Sequence, residues 1–346
     1  TPEGLVLVLP AFRGFLLGFY MEKLYDLDLF GQSTRPKASG VVAQRFLIPP
    51  FTILDARQGD WQERKRAWLA IGIRSEIGRD AAAFGNCSEY QVRTVKGRNS
   101  TTGPNSIMLG TSKNDDGSQS VTSIFDPVVC ELAYTWFCPK GGQVVDPFAG
   151  GSVRGIVAGA LGLKYWGCDL RQEQVSANEF QAKEIEVSMP PQWICGDSME
   201  TLQHAPDADM VFSCPPYGDL EIYSDNPNDL SNMEWHTFAA AYKRIIYKAV
   251  QRMKEDSFAC FVVGDFRDKK GFYRNFISET IDGFEQAGAK LYNEAILATS
   301  VGSAAMRVTK QFESGRKMAK THQNILVFCK GDWKKAANKI NQSNGG

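Results

Sequence analysis

Apolar and polar positions fall into two regimes along the chain. From Gln143 onward short apolar runs alternate with longer stretches of helical character; the runs are Gln143–Val145, Tyr165–Cys168, Gln192–Cys195, Met210–Phe212, Phe258–Val263, Ala289–Leu297 and Asn324–Cys329. Runs of that length, bounded by turn residues and separated by helices, predict an open α/β sheet with crossovers long enough for parallel pairing. The last two runs are joined by a basic segment that reads as non-helical, which predicts an antiparallel final strand. Before residue 100 the pattern is less regular. An apolar opening is followed by an extended piece, Val41 to Ile53, broken at Pro49-Pro50, and then by the charged stretch D-W-Q-E-R-K-R-A-W-L-A-I-G-I. There Trp61, Lys65 and Trp68 stand at i, i+4 and i+7, so a helix puts two indoles around a cation. The rings are expected to dock in the core, leaving Arg64, Lys65 and Arg66 in solvent, where they could meet phosphate.

Gly97 to Ser120 is rich in Gly, Ser, Thr, Asn and Asp and reads as a linker. The expected organisation is thus an N-terminal α+β appendage over 1–100, a linker over 101–122, an α/β domain over 123–333 and a disordered tail over 334–346. The length of 346 residues agrees with one large domain carrying an appendage.

Composition adds little globally and more locally. Lys and Arg number 39 against 39 Asp and Glu, so overall charge favours no partner. Between Arg57 and Arg98, however, nine basic residues face five acids, and from Val301 to Lys320 five face Glu313 alone, a net of +4 in each segment. The eight cysteines show no C-x-x-C pair, which fits a reducing, cytoplasmic setting. The three histidines are not spaced as metal ligands, so no metal is expected. The opening apolar run is interrupted by Pro10, Arg13 and glycines and falls short of the roughly 20 residues that span a bilayer. No membrane partner is expected.

In an open α/β sheet, ligands bind outside the carboxyl ends of the strands. The first strand ends D-P-F-A-G-G-S, residues 146 to 152, whose glycines let backbone approach a ligand ahead of a helix N-terminus. The second ends in Asp169-Leu170, placed to accept hydrogen bonds from ribose hydroxyls. The third ends at Asp197-Ser198, where the acid could meet an adenine amine, and the fourth in Ser213-Cys214-Pro215-Pro216-Tyr217. Two prolines make that last turn stiff and extended, with its carbonyls held in place.

These strand ends, with F-D-P at 125 to 127 and T-H-Q-N-I-L-V-F-C-K-G at the last strand, resemble the DNA amino-methyltransferases. With R-F-L-I-P-P-F and W-Q-E-R-K-R-A-W added, the chain resembles phage-encoded members of that group. The resemblance implies a Rossmann-like class I methyltransferase fold with a mostly parallel seven-stranded sheet. It also implies S-adenosylmethionine as cofactor and methyl transfer to adenine N6 or cytosine N4 of a base flipped out of double-stranded DNA. It places Phe125, Asp126, Asp146, Pro147, Phe148, Ala149, Gly150, Gly151 and Ser152 at the methionine half, and Asp169, Leu170, Asp197 and Ser198 at the adenosine half. Arg64, Lys65, Arg66, Arg307, Lys310, Arg316 and Lys317 become candidates for nucleic-acid contact.

The sequence departs from the family at Cys214, where an Asp, Asn or Ser is usual. A thiol is a weak hydrogen-bonding group, so adenine and cytosine both stay open. The carbonyl of Pro215, with Ser213 or Cys214 beside it, would fix the amine protons, and Tyr217 would stack on the base. The acidic run after Tyr217 reads as a mobile lid. An RNA or protein-glutamine acceptor with the same cofactor site, or an inactive DNA-binding module, are the competing readings.

Overall fold

The computed structural model describes residues 40–74, 125–218, 226–301 and 304–344. The proposed linker, the apolar opening and residues 219–225 of the acidic run over 219–230 lie outside them; the rest of that run is described, and its Asp229 is buried and accepts from the Ser231 N–H at 2.9 Å. All seven expected strands form: β2 (Gln143–Asp146), β3 (Lys164–Asp169), β4 (Gln192–Cys195), β5 (Ala208–Ser213), β6 (Met253–Val263), β7 (Ala289–Ala298) and β8 (His322–Lys330). An eighth, β1 (Ile53–Asp55), joins them, so the sheet has eight strands rather than seven, in the order β1-β7-β8-β6-β5-β2-β3-β4. β1 pairs parallel with β7 through Ile53 and Ile296. A three-residue strand is too short to announce itself by periodicity. Upstream of it the expected extended piece is partly helical, as α1 (Gly40–Phe46).

Every pairing is parallel except those of β8, which runs antiparallel to both β6 and β7. The antiparallel last strand is therefore as expected, and the whole is a Rossmann-like, mostly parallel α/β sheet. The strand order reverses between β2 and β5, the place where such sheets open a crevice.

Both faces of the sheet are covered along its inner strands, which is why β5, β6 and β8 read as nearly continuous apolar runs, whereas Lys290–Glu294 of β7 are exposed. One face packs on α2 (Gly59–Ala70), α3 (Pro127–Phe137), α4 (Val153–Ala160), α5 (Gln172–Ile185) and α10 (Trp333–Asn344). The other packs on α7 (Trp235–Arg252) and α8 (Phe276–Ala287), where Phe284 stacks on Phe328 of β8 with centroids 3.9 Å apart.

Three expectations need correction here. The expected disordered tail is helical over its described part, 334–344: α10 runs to Asn344, buries Ala336 and Ile340, and ties Lys339 Nζ to the Glu255 carbonyl at 2.7 Å. The basic stretch between β7 and β8 is not irregular: it contains α9 (Ala304–Gly315). Ala304 and Val308 are half-buried and the other described side chains of that helix are exposed, so it carries little of the apolar stripe that betrays a helix.

The third concerns α2. Its indoles are buried as expected, but Arg64 and Lys65 do not face open solvent. Trp61 Nε1 and Lys65 Nζ both reach Asp126 Oδ2, at 3.2 and 3.1 Å. Arg64 Nε and Trp68 Nε1 both reach Glu131 Oε2, each at 3.0 Å. Two carboxylates on or beside α3 therefore clamp α2 down, and Arg66 alone of the three cations is exposed. Among the described residues no helix is long and apolar enough to cross a membrane.

Candidate active site

The site grows outward from Asp146, which ends β2 and is fully buried. A buried carboxylate needs donors, and this one has four. Arg154 Nε of α4 lies at 2.6 Å, Tyr165 OH of β3 at 2.7 Å, Ser213 Oγ of β5 at 2.5 Å and the Phe148 N–H at 3.1 Å. Arg154 itself donates to the carbonyls of Phe148 and Ala149 and lies 4.9 Å from the Phe125 ring centroid. Burial works against the Arg154 charge, but the Asp146 carboxylate outweighs it and lifts the guanidinium above its ordinary range. Burial also pushes the Tyr165 hydroxyl up, so it stays protonated and donates.

The glycine loop between β2 and α4 is held against the next strand ends. Gly150, at φ +50°, has the left-handed backbone that favours glycine. Its N–H reaches Asp169 Oδ2 at 3.0 Å and its carbonyl accepts from Asn178 Nδ2 at 2.7 Å. Asp169 Oδ1 accepts from the Arg171 N–H at 2.9 Å. Buried Ser152 donates to Gln181 Oε1 at 2.6 Å. Asp197 caps the short helix α6 (Ser198–Thr201) through the Met199 N–H at 2.8 Å, and Ser198 Oγ donates to the Pro147 carbonyl at 2.6 Å. The Phe148 ring packs against Tyr242 and Phe261.

Across the switch point, β5 leads into the proline turn. Tyr217 OH accepts from Gln323 Nε2 at 3.0 Å, and its ring meets Phe266 and Phe276 edge-on at 6.2 and 5.9 Å. Lys320 lies alongside. Its Nζ donates to the Asp265 carbonyl at 3.2 Å, and a Cβ built on Gly264 would stand 3.2 Å from Lys320 Nζ and 3.7 Å from the Tyr217 ring. Burial lowers the Lys320 pKa, and burial with the Lys320 charge lowers that of His322.

The expected site residues thus separate into a rim and a scaffold. Phe125, Asp126, Phe148, Gly150, Asp169, Leu170, Asp197, Ser198, Cys214, Pro216 and Tyr217 are half-buried along one edge of the sheet. Asp146, Pro147, Ala149, Gly151, Ser152, Ser213 and Pro215 are buried beneath it. Three assignments change with this placement. Asp146 is saturated by protein donors and acts as the hub between loop and turn. The Ser213 hydroxyl is spent on Asp146, so it does not face a base. Asp126 caps α3 through the Val128 N–H at 3.0 Å and receives Trp61 and Lys65.

Sequence reasoning missed Arg154, Lys320 and Gln323. An arginine in a glycine-rich helix start gives no sign that it will be buried. The other two were accessible: an antiparallel last strand must begin at the edge where parallel strands end, which brings Lys320 to Gln323 beside the turn. Of the nucleic-acid candidates beyond α2, Lys310, Arg316 and Lys317 are exposed on or after α9, while the Arg307 side chain lies outside the description. Among the described residues no group of His, Cys, Asp and Glu could hold a metal ion.

No protein-family model matches the chain, and no curated protein does. Solved structures do. TrmN from Thermus thermophilus matches at 12% identity and a TM-score of 0.41, over 60% of this chain and 49% of its own, so this chain spans about half of that protein. Magnesium protoporphyrin IX methyltransferase (ChlM) from Synechocystis PCC 6803, with bound SAM, matches at 10% identity and 0.38, over 59% of this chain and 79% of its own. A candidate DNA modification methylase, also from Thermus thermophilus, matches at 17% identity and 0.29, over 39% and 51%.

Proposed function

We propose that this chain transfers a methyl group from S-adenosylmethionine to an exocyclic amine of a base flipped out of duplex DNA. One observation carries the reading: a glycine loop and an S-C-P-P-Y turn flank the switch point of the sheet, and Asp146 holds both. The donor set fits the cofactor. Half-buried carboxylates at the ends of β3 and β4 suit ribose hydroxyls and an adenine amine, and a loop at Gly150 without a side chain suits close approach of a ligand. When bound, the cofactor supplies an electrophilic methyl on a sulfonium.

The protein's own contribution is placement and fixed acceptors. The lone pair of an exocyclic amine is delocalised into its ring, so its protons must be gripped for the nitrogen to attack. With the Ser213 hydroxyl turned inward, the acceptors are the carbonyls of the proline turn, Pro215 foremost, and beside them the Cys214 sulfur. Their stiffness means that nothing reorganises as charge develops on nitrogen. Tyr217, braced by Gln323 and two phenylalanine rings, presents a face for the base to stack on. As the nitrogen gains the methyl the methyl–sulfur bond breaks, and the methylated nitrogen, now cationic, loses one proton to water.

Incubation with methyl-labelled S-adenosylmethionine and separate pools of duplex DNA and structured RNA tests this. N6-methyladenine or N4-methylcytosine in DNA is the expected product. Label confined to RNA would move the acceptor, and cofactor binding without transfer to either pool would overturn the nucleic-acid reading and leave a protein acceptor or an inactive module.

A further inference from the structure

The segment D-F-R-D-K-K-G-F-Y-R, Asp265 to Arg274, follows β6 and figured in no sequence expectation. It folds as a small ribbon. Arg267 and Tyr273 form an antiparallel bridge, the Asp268 N–H reaches the Phe272 carbonyl at 2.8 Å, and the Arg274 N–H reaches the Phe266 carbonyl at 2.9 Å. The turn is closed by the Gly271 N–H on the Asp268 carbonyl, with Gly271 at φ +93°, and by Asp268 Oδ1 accepting the Phe272 N–H at 2.9 Å. The Arg267 guanidinium lies 4.0 Å from the Tyr273 ring centroid and donates to the Gly271 carbonyl. The ribbon is therefore pre-organised.

Its base stands on the active site. Phe266 contacts Tyr217, Trp235 and Phe276, at 6.2, 5.7 and 5.6 Å between centroids. Its tip holds Phe272, 71% exposed, with exposed Lys269 and Lys270 just before it. The second basic segment closes in from the side: a Cβ on Gly271 would stand 2.5 Å from Lys317 Nζ. Over 265–274 and 304–320 nine cations face three carboxylates, a net of +6 in a chain whose total is zero. Two of those carboxylates, Asp265 and Asp268, are turned to backbone N–H groups. A large apolar side chain held out into water by a rigid basic ribbon, next to a turn that must receive an unstacked base, is the arrangement of a duplex-entering wedge.

Resting on the reading above, we infer that Phe272 inserts into the DNA stack where the target base leaves, while Lys269, Lys270 and Lys317 hold the flanking phosphates. Replacing an unstacked base by an aromatic ring lowers the cost of extrusion. The test compares Phe272→Ala and Phe272→Trp with the wild type on two duplexes carrying the mapped target site, one fully paired and one with the target base opposite an abasic position. On the paired duplex Phe272→Ala is expected to lose about tenfold or more in kcat/KM, and on the abasic-opposed duplex less than about threefold, because extrusion is then nearly free. Phe272→Trp should stay close to wild type on both. Cofactor affinity and melting temperature, which an exposed tip does not control, should not move. Equal loss on both duplexes, or no loss on either, overturns the wedge. A wild type that methylates neither duplex overturns instead the DNA reading on which the wedge rests.

Discussion

At the scale of single residues the site is organised by a buried charge pair, Asp146 with Arg154, rather than by groups that meet a ligand. Removing one partner of such a pair leaves the other charge without compensation. Arg154→Met should therefore destabilise the fold by about 3–5 kcal/mol in chemical denaturation, and should release the glycine loop. Ser213→Ala is subtler. It deletes one charge-assisted hydrogen bond, worth about 1.5–3 kcal/mol, and slackens the proline turn. Methyl transfer should fall while cofactor affinity, measured by calorimetry, stays near wild type. Lys320 gives the pH prediction. Its lowered pKa means that the folded state holds this proton less tightly than the unfolded chain does. The cost of burying the cation is complete below the folded pKa and is relieved as pH rises from there through the ordinary lysine pKa of the unfolded chain. Function runs the opposite way: the charge beside Tyr217 is lost at a lower pH than that of exposed lysines. DNA affinity at constant ionic strength should fall on that alkaline limb, and Lys320→Arg, which keeps its charge, should flatten it.

At the scale of elements, the C-terminal helix offers a sharp choice between packing and disorder. α10 puts Ala336 and Ile340 on one face, 2% and 7% exposed. Ile340→Ala should cost about 2–5 kcal/mol by urea unfolding, whereas a disordered tail would register nothing. The same helix shows where sequence legibility stops. Lys and Asn dominate its composition, three each in twelve residues, and hide a stripe of two apolar residues one turn apart. The inner strands were legible because a sheet covered on both faces needs unbroken apolar runs, as in M-V-F of β5 and F-A-C-F-V-V of β6. β1 was not, being three residues long, and α9 was not, having little buried face. Strand-end logic located the glycine loop, Asp169, Asp197 and the proline turn. It could not tell that Asp146, Ser213 and Asp126 point inward, because a carboxylate or hydroxyl is written with the same letter whether it meets a ligand or an arginine.

At the scale of the whole molecule, zero net charge conceals segregation. The two basic segments that look equivalent in sequence are put to different uses. Around α2 the cations Arg64 and Lys65 are consumed by Glu131 and Asp126, with side chains only 18% exposed. Around α9 and the 265–274 ribbon, Lys269, Lys270, Lys310, Arg316 and Lys317 remain exposed. Binding to a polyanion releases counterions in proportion to the phosphates neutralised, so the slope of log K against log salt counts the cations engaged. Arg316→Gln and Lys317→Gln should each flatten that slope for duplex DNA by about 1 while leaving thermal stability near wild type. Arg64→Gln and Lys65→Gln should leave the slope unchanged and lower the melting temperature, because Glu131 and Asp126 would lose partners in a half-dry interface. The opposite pattern, a slope that responds to α2 and ignores α9, would place the DNA on the other side of the fold and detach the ribbon from the duplex.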